Sequence, residues 1–241
     1  MPSTGIISQA RMTSTRLPGK VLRTVAGDSL LRHHIRRLQT TGLPIHIATT
    51  TNATDDALVA EALACGAQVF RGDEHDVLAR FLGCARTYGL DTVVRVTSDC
   101  PLIDPQLIVR GLTSYRTADS DAVYVSNCMR RTYPRGFDFE IFATRWLEKA
   151  DRECSAMELR EHVTPDLYRN LVGTLRQLDV VDTVDNSDLR LTVDTPEDFE
   201  LIRVLIENYH ADRLDHMAIT HLLRQHPELV ALNQMIAQKP H

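Results

Sequence analysis

The stretch QARMTSTRLPGK, residues 9–20, follows a short apolar run and concentrates three cations, Arg11, Arg16 and Lys20, with no acid before Asp28. Ala10 opens this turn, and Ser14 and Thr15 add small hydroxyl groups to it. An electropositive loop between a strand and a helix suits phosphate, because backbone N–H groups and the helix dipole direct positive charge at the ligand. Arg11 and Lys20 are candidates for neutralising phosphate oxygens, and Arg16 suits either a phosphate or a neighbouring carboxylate. The competing reading is a solvated surface loop. The stretch is not a Walker A motif, since Val21 follows Gly19-Lys20, and it contains no GxGxxG.

Two carboxylates remain unexplained once helix starts are accounted for. In TSDCPLIDP, Asp104 before Pro105 reads as an N-cap with proline at the first helical position. In RLTVDTPEDFELI, Thr195 serves as the N-cap, Pro196 suits the next position, and Glu197 and Asp198 complement the dipole of the first turn. Asp99 and Asp194 have no such duty, and each follows an apolar run; a turn-forming role is the alternative for Asp99. They are 95 positions apart, so only the fold can bring them together. If it does, they make a Mg²⁺ site, since that ion takes one or two carboxylates and completes its shell with water and phosphate oxygens.

Weaker signals lie elsewhere. In YPRGFDFEIF, Asp138 and Glu140 stand two apart on an expected strand, with Arg135 just before it. They read as an acceptor site, Arg135 for an anion and Glu140 for hydroxyls, or as an ion-paired edge. His162 in REHVTP reads as a contact to acceptor or phosphate, or as a packing or surface histidine. Arg71 and Gly72 face a ribose or base, or form a simple turn. His33, His34, His216 and His221 lack partners at metal-ligand spacing and read as solvated or half-buried. Trp146 reads as a helix anchor.

The elements that must position these residues alternate. TGIISQA, PIHIATT, AQVF and DTVVRVTS read as strands, each followed by a helical pattern such as SLLRHHIRRLQTT or DEHDVLARFLGCARTYG. Four such alternations predict a three-layer α/β/α fold with a mostly parallel sheet, its ligand at the C-terminal strand ends. The rhythm changes after DAVYVSN, and residues 126–172 read as a substrate-facing or dimerisation excursion containing helices around RWLEKADREC and AMELREHVTPDLYRN. GTLRQLDVV and LRLTV read as strands returning to the sheet, TPEDFELIRVLIENYH as an amphipathic helix, and residues 210–241 as a polar helical tail. The whole, residues 1–241, reads as one domain.

Composition limits the function. The chain has 241 residues, 43% hydrophobic content and a formal net charge of -5, which argues against a general nucleic-acid or membrane-surface binder. Five cysteines without a CxxC pair, together with the lack of a long apolar run, predict a soluble cytoplasmic protein with reduced thiols.

The blocks IISQARMTSTRLPGKVL, ATTTNATDDALV, VFRGDEHDVLARF, RVTSDCPLIDP, YPRGFDFEIF, REHVTP and LTVDTPEDFELI occur in an order that resembles the SpsF-like cytidylyltransferases. That family belongs to the wider group of CMP-sugar synthetases, which includes the 3-deoxy-manno-octulosonate enzymes. The resemblance spans roughly residues 5–205. It implies a nucleotide-diphosphosugar-transferase-like fold and transfer of CMP from CTP to a sugar or related acid, with release of pyrophosphate. It further implies Arg11 and Lys20 at the triphosphate, Mg²⁺ at Asp99 and Asp194, and a homodimer. Thr13 stands where the family's loop usually has glycine, so its Cβ narrows the pocket or requires a different loop shape. Two other readings compete: a glycosyltransferase using a nucleotide sugar, and a non-catalytic nucleotide-binding relative. If Lys20 reads the β and γ phosphates, Lys20→Ala weakens binding of CTP more than binding of CMP in calorimetric titrations; equal losses would exclude that role.

Overall fold

A computed structural model describes residues 2–171 and 173–236. The strands are β1 (Thr4–Gln9), the short hairpin β2 (Thr24–Val25) and β3 (Asp28–Ser29), β4 (Ile45–Thr50), β5 (Gln68–Gly72), β6 (Thr92–Thr97), β7 (Val123–Ser126), β8 (Glu140–Ala143) and β9 (Arg176–Asp179). The helices are α1 (Leu30–Gln39), α2 (Asp56–Ala64), α3 (Val77–Thr87), α4 (Pro105–Thr117), α5 (Thr144–Glu153), α6 (Met157–His162), α7 (Pro165–Tyr168), α8 (Pro196–Tyr209), α9 (His216–Gln225) and α10 (Pro227–Val230). Seven strands form one sheet in the order β5-β4-β1-β6-β8-β7-β9. All neighbours are parallel except β8, which runs antiparallel to both β6 and β7. The expected mostly parallel sheet with helices on both faces is therefore observed.

Strand periodicity divides the core. Ile6, Ile47, Val94, Val96, Val125 and Ile141 face one layer with α1, α2, α4 and α8, while Ile7, Ala48, Val93, Tyr124 and Phe142 face the other with α3, α5 and α7. The helices begin where the sequence says. Ser29, Asp76 and Asp104 accept from the backbone N–H of Arg32, Ala79 and Gln106, and Thr195 with Asp198 closes a capping box at α8.

Four expectations are corrected. LRLTV, residues 189–193, is not a sheet strand: Leu189, Leu191 and Val193 are buried, but the segment pairs with loops, through Arg135 and through Asp99 O. Apolar alternation specifies a buried face, not a ladder partner. Gly136 makes room for this crossing; a Cβ on it, at φ 109°, would lie 2.7 Å from the carbonyl carbon of Leu191. The helical stretch over 156–170 is broken into α6 and α7 at Val163, because Pro165 disfavours helical backbone at the residue before it. Residues 210–236 are more than a polar tail, since Ile219, Leu223 and Leu229 enter the main core; residues 237–241 lie outside the described residues. His33 and His34 are buried, not solvated.

His34 joins two strand ends. Its Nδ1 donates to Cys100 O at 2.8 Å, and its Nε2 lies 2.9 Å from Ser8 Oγ, which lies 2.7 Å from Ser98 Oγ. The neutral Nδ1–H tautomer satisfies this chain, and burial holds the pKa of His34 down to about 4. His46 is also pushed down to about 4 by burial; neither ring nitrogen has a hydrogen-bond partner among the described residues, and the ring packs at a tilt of 34° on Tyr88 with centroids 4.2 Å apart. Unfolded histidines take up protons below pH 6.5, whereas these two resist until about pH 4. Stability is therefore complete above pH 6.5 and lost progressively as pH falls towards 4. His46→Leu should shrink the difference in melting temperature between pH 7 and pH 5, measured by circular dichroism.

Candidate functional site

The cationic loop leaves β1 at the C-terminal edge of the sheet. Asp55, fully buried, fixes its start by accepting from Met12 N at 2.9 Å as well as from Thr49 and Thr50. Leu17 is buried beneath the loop, and the N–H of Gly19, at φ 66°, donates to Met12 O. The chain then turns through a single 3₁₀ segment, Lys20–Leu22, which buries Lys20. That turn aims a long cationic side chain inward.

There it meets both unexplained carboxylates. Lys20 Nζ donates to Asp99 Oδ2, Asp194 Oδ1 and Val193 O, each at 2.8 Å. The two aspartates converge because Val193 N donates to Asp99 O at 2.8 Å, joining the 189–193 segment to the turn after β6. Arg16 Nη2 approaches Asp194 Oδ2 at 2.9 Å, which takes up the carboxylate half of its two sequence readings.

A deeper layer was not legible as functional. Arg190 donates from Nη2 to Asp194 Oδ2 at 2.8 Å and from Nε to Asp198 Oδ1 at 2.8 Å. Asp198, fully buried, also accepts from the backbone N–H of Asp194 and Thr195. Sequence reasoning gave Asp198 only a dipole role. The available signal was Arg190 set four residues before Asp194 on an otherwise apolar segment.

The cluster's charges balance: three carboxylates, Asp99, Asp194 and Asp198, are paired with three cations, Lys20, Arg16 and Arg190. Burial pushes the Asp99 carboxyl up, but the Lys20 ammonium more than offsets this and leaves its pKa at about 2. Burial likewise depresses Lys20, yet Asp99 and Asp194 raise it above the ordinary lysine value. Lys20 and Asp99 are thus both charged at neutral pH, and an incoming polyanion can draw cations away from carboxylates.

The remaining candidates are spread around this centre. The Ser14 and Thr15 hydroxyls have no protein partner among the described residues, and Ala10 is buried beneath the loop. Thr13 Oγ1 donates to Glu74 Oε1 at 2.5 Å, and Glu74 also accepts from Asn52 at 2.6 Å and lies 3.6 Å from Arg11 Nη1. The loop therefore accommodates the threonine by turning its hydroxyl onto a carboxylate. Arg71 braces the segment after β4, donating to Thr50 O, Asn52 O and Asp56, while Gly72 O accepts from Thr51 N. Both residues end β5, paired with Thr49 and Thr50 of β4, so they form a strand end and not the simple turn that was the alternative.

Glu140 is buried and accepts from Arg95, Tyr124 and Thr164, the internal ion pair that was its alternative. Asp138 lies before β8, not on it, and forms a two-bond pair with Arg131 at 2.6 and 2.8 Å. Arg135 is half-buried and enters no ion pair or side-chain hydrogen bond among the described residues; its backbone bridges that of Arg190. His162 ends α6, half-buried. Trp146 anchors α5 through a bond from Nε1 to Asp121 O at 2.6 Å.

A family model described as cytidylyltransferase matches residues 5–225. The chain belongs to the cytidylyltransferase family. It is a nucleotidyltransferase. It is 33% identical over 214 residues to the spore coat polysaccharide biosynthesis protein SpsF of Bacillus subtilis, covering 83% of this chain and 85% of that protein. It is 29% identical over 244 residues to the 3-deoxy-manno-octulosonate cytidylyltransferase of Mesorhizobium japonicum, covering 86% of this chain and all of that one. A solved cytidylyltransferase from Leptospira borgpetersenii superposes with a TM-score of 0.92 at 32% identity, covering 99% of this chain and 100% of that one. Within this cytidylyltransferase the second carboxylate on Lys20 comes from Asp194, 95 positions after Asp99.

Asp198 and Arg190 are a buried pair, so removing one partner strands the other's charge. Asp198→Ala should destabilise the protein by about 3–5 kcal/mol, measured by urea denaturation. A loss within 1 kcal/mol of zero, roughly the worth of an exposed pair, would mean the pair is not held as described.

Proposed function

We propose that the protein transfers the cytidylyl group of CTP to an acidic sugar, releasing pyrophosphate, with Mg²⁺ held by Asp99 and Asp194. The observation that carries this reading is Lys20 spanning the carboxylates of Asp99 and Asp194 beside a loop of phosphate-binding character. The donor set suits the ion: both groups are hard carboxylate oxygens. No group of three or more acidic, histidine or cysteine side chains able to hold a metal occurs among the described residues. Water and triphosphate would therefore complete the shell, as magnesium prefers. When bound, Mg²⁺ supplies charge neutralisation on the triphosphate oxygens.

The chain's own residues supply binding and orientation. Lys20 turns from the carboxylates to the triphosphate, Arg11 leaves Glu74 for the same ligand, and the Ser14 and Thr15 hydroxyls donate from the loop. An acceptor oxygen attacks the α-phosphorus in line, forming a new P–O bond as the bond to pyrophosphate breaks. No side-chain nucleophile takes part, and catalysis rests on positioning and electrostatics. An acidic acceptor is supported by Arg135: burial and the nearby Arg131 and Arg190 lower its pKa against the opposing pull of Asp138 and Cys128, so an anion would stabilise its charge.

The test is pyrophosphate release with each of the four NTPs, Mg²⁺ and a panel of acidic and neutral sugars. Turnover with CTP and an acidic sugar is expected; turnover with neutral sugars alone would overturn the acceptor assignment. Arg135→Ala should raise KM for the acidic acceptor about 10-fold or more, the worth of one charge-assisted hydrogen bond, while KM for CTP stays the same. An unchanged acceptor KM would remove Arg135 from the site.

A further inference from the structure

The hydrogen-bond chain behind Asp194 does not stop at Asp198. It ends in the C-terminal segment after α10, at Asn233, which is only 4% exposed. Asn233 Nδ2 donates to Asp198 Oδ1 at 2.8 Å and to Arg190 O at 3.1 Å, so the amide's two hydrogens bind both members of the pair.

We propose that Asn233 is a positioning residue for nucleotidyl transfer, locking the Asp198–Arg190 pair so that the guanidinium aims Asp194 at Lys20 and the metal. The inference rests on the reading of Asp194 given above. Arg190 contacts Asp198 through Nε and Nη2 and shares Nη2 with Asp194, so any tilt of the Asp198 carboxylate tilts the guanidinium and moves Asp194 with it. Asn233 closes the remaining side of that carboxylate. The amide is not needed to attach the segment, because Ile219, Leu223 and Leu229 already bury it in the core. A buried amide is costly unless its bonds are made, and here they are made to the pair that orients Asp194. Asn233 also lies beyond the residues matched by the family model, which end at 225.

The test uses the full-length protein and Mn²⁺ as the probe, titrated calorimetrically with CTP and no acceptor, beside the Mg²⁺ concentration that half-activates turnover. Hydrogen bonds behind a metal ligand typically change metal affinity 10–100-fold. Asn233→Ala should therefore weaken Mn²⁺ binding and raise the Mg²⁺ requirement by about 10-fold. Leu229→Ala loosens the same segment without touching the polar chain; it should lower the melting temperature yet leave Mn²⁺ affinity unchanged. Equal weakening in both variants would make Asn233 merely structural and overturn the inference. Unchanged affinity in Asn233→Ala with a loss in Asp194→Asn would also overturn it, leaving the metal reading intact. Unchanged affinity in Asp194→Asn would overturn the metal reading itself, and the inference with it.

Discussion

One ammonium group, held between two carboxylates that are far apart in sequence, organises the candidate site. Lys20 satisfies Asp99 and Asp194 at equal distance, and neither acid could sit so close to the other without it. The surrounding architecture serves that arrangement. Gly19 turns the loop inward, Asp55 ties down its start, and the backbone bond from Val193 to Asp99 draws the later segment into place. Arg190 and Asp198 then fix the outer oxygen of Asp194.

The site is electrostatically complete before any ligand arrives, which has a kinetic meaning. Arg11 and Glu74, like Lys20 and the aspartates, form internal pairs, and on the proposed reading their partners are exchanged for phosphate and metal. Such exchange avoids leaving bare charge in a half-buried cleft, where it would cost several kcal/mol. It also means that ligand affinity reflects a difference between two paired states.

Much of this was legible in the sequence, for identifiable reasons. Parallel strands buried on both faces read as apolar runs, and capping residues at α4 and α8 announced themselves through Asp104-Pro105 and Thr195-Pro196. Subtracting those duties singled out Asp99 and Asp194. Residues whose role depends on tertiary proximity were missed. Asp198 satisfies a capping box and a buried guanidinium at once, and the local signal hid the distant one. Glu140 looked like a ligand because its partners Arg95, Tyr124 and Thr164 are remote in sequence. The 189–193 segment has a strand's pattern, but its hydrogen bonds go to loops, which no periodicity reports.

The chain's order of synthesis gives the tail a further consequence. The cationic loop and Asp99 are made before the segment bearing Arg190, Asp194 and Asp198, and Asn233 follows later still. Until then Lys20 has one carboxylate instead of two, and Gly136 lies against no crossing strand of chain. A chain stopped before residue 194 would therefore keep the bond from Lys20 to Asp99 but lack the second carboxylate that completes its setting.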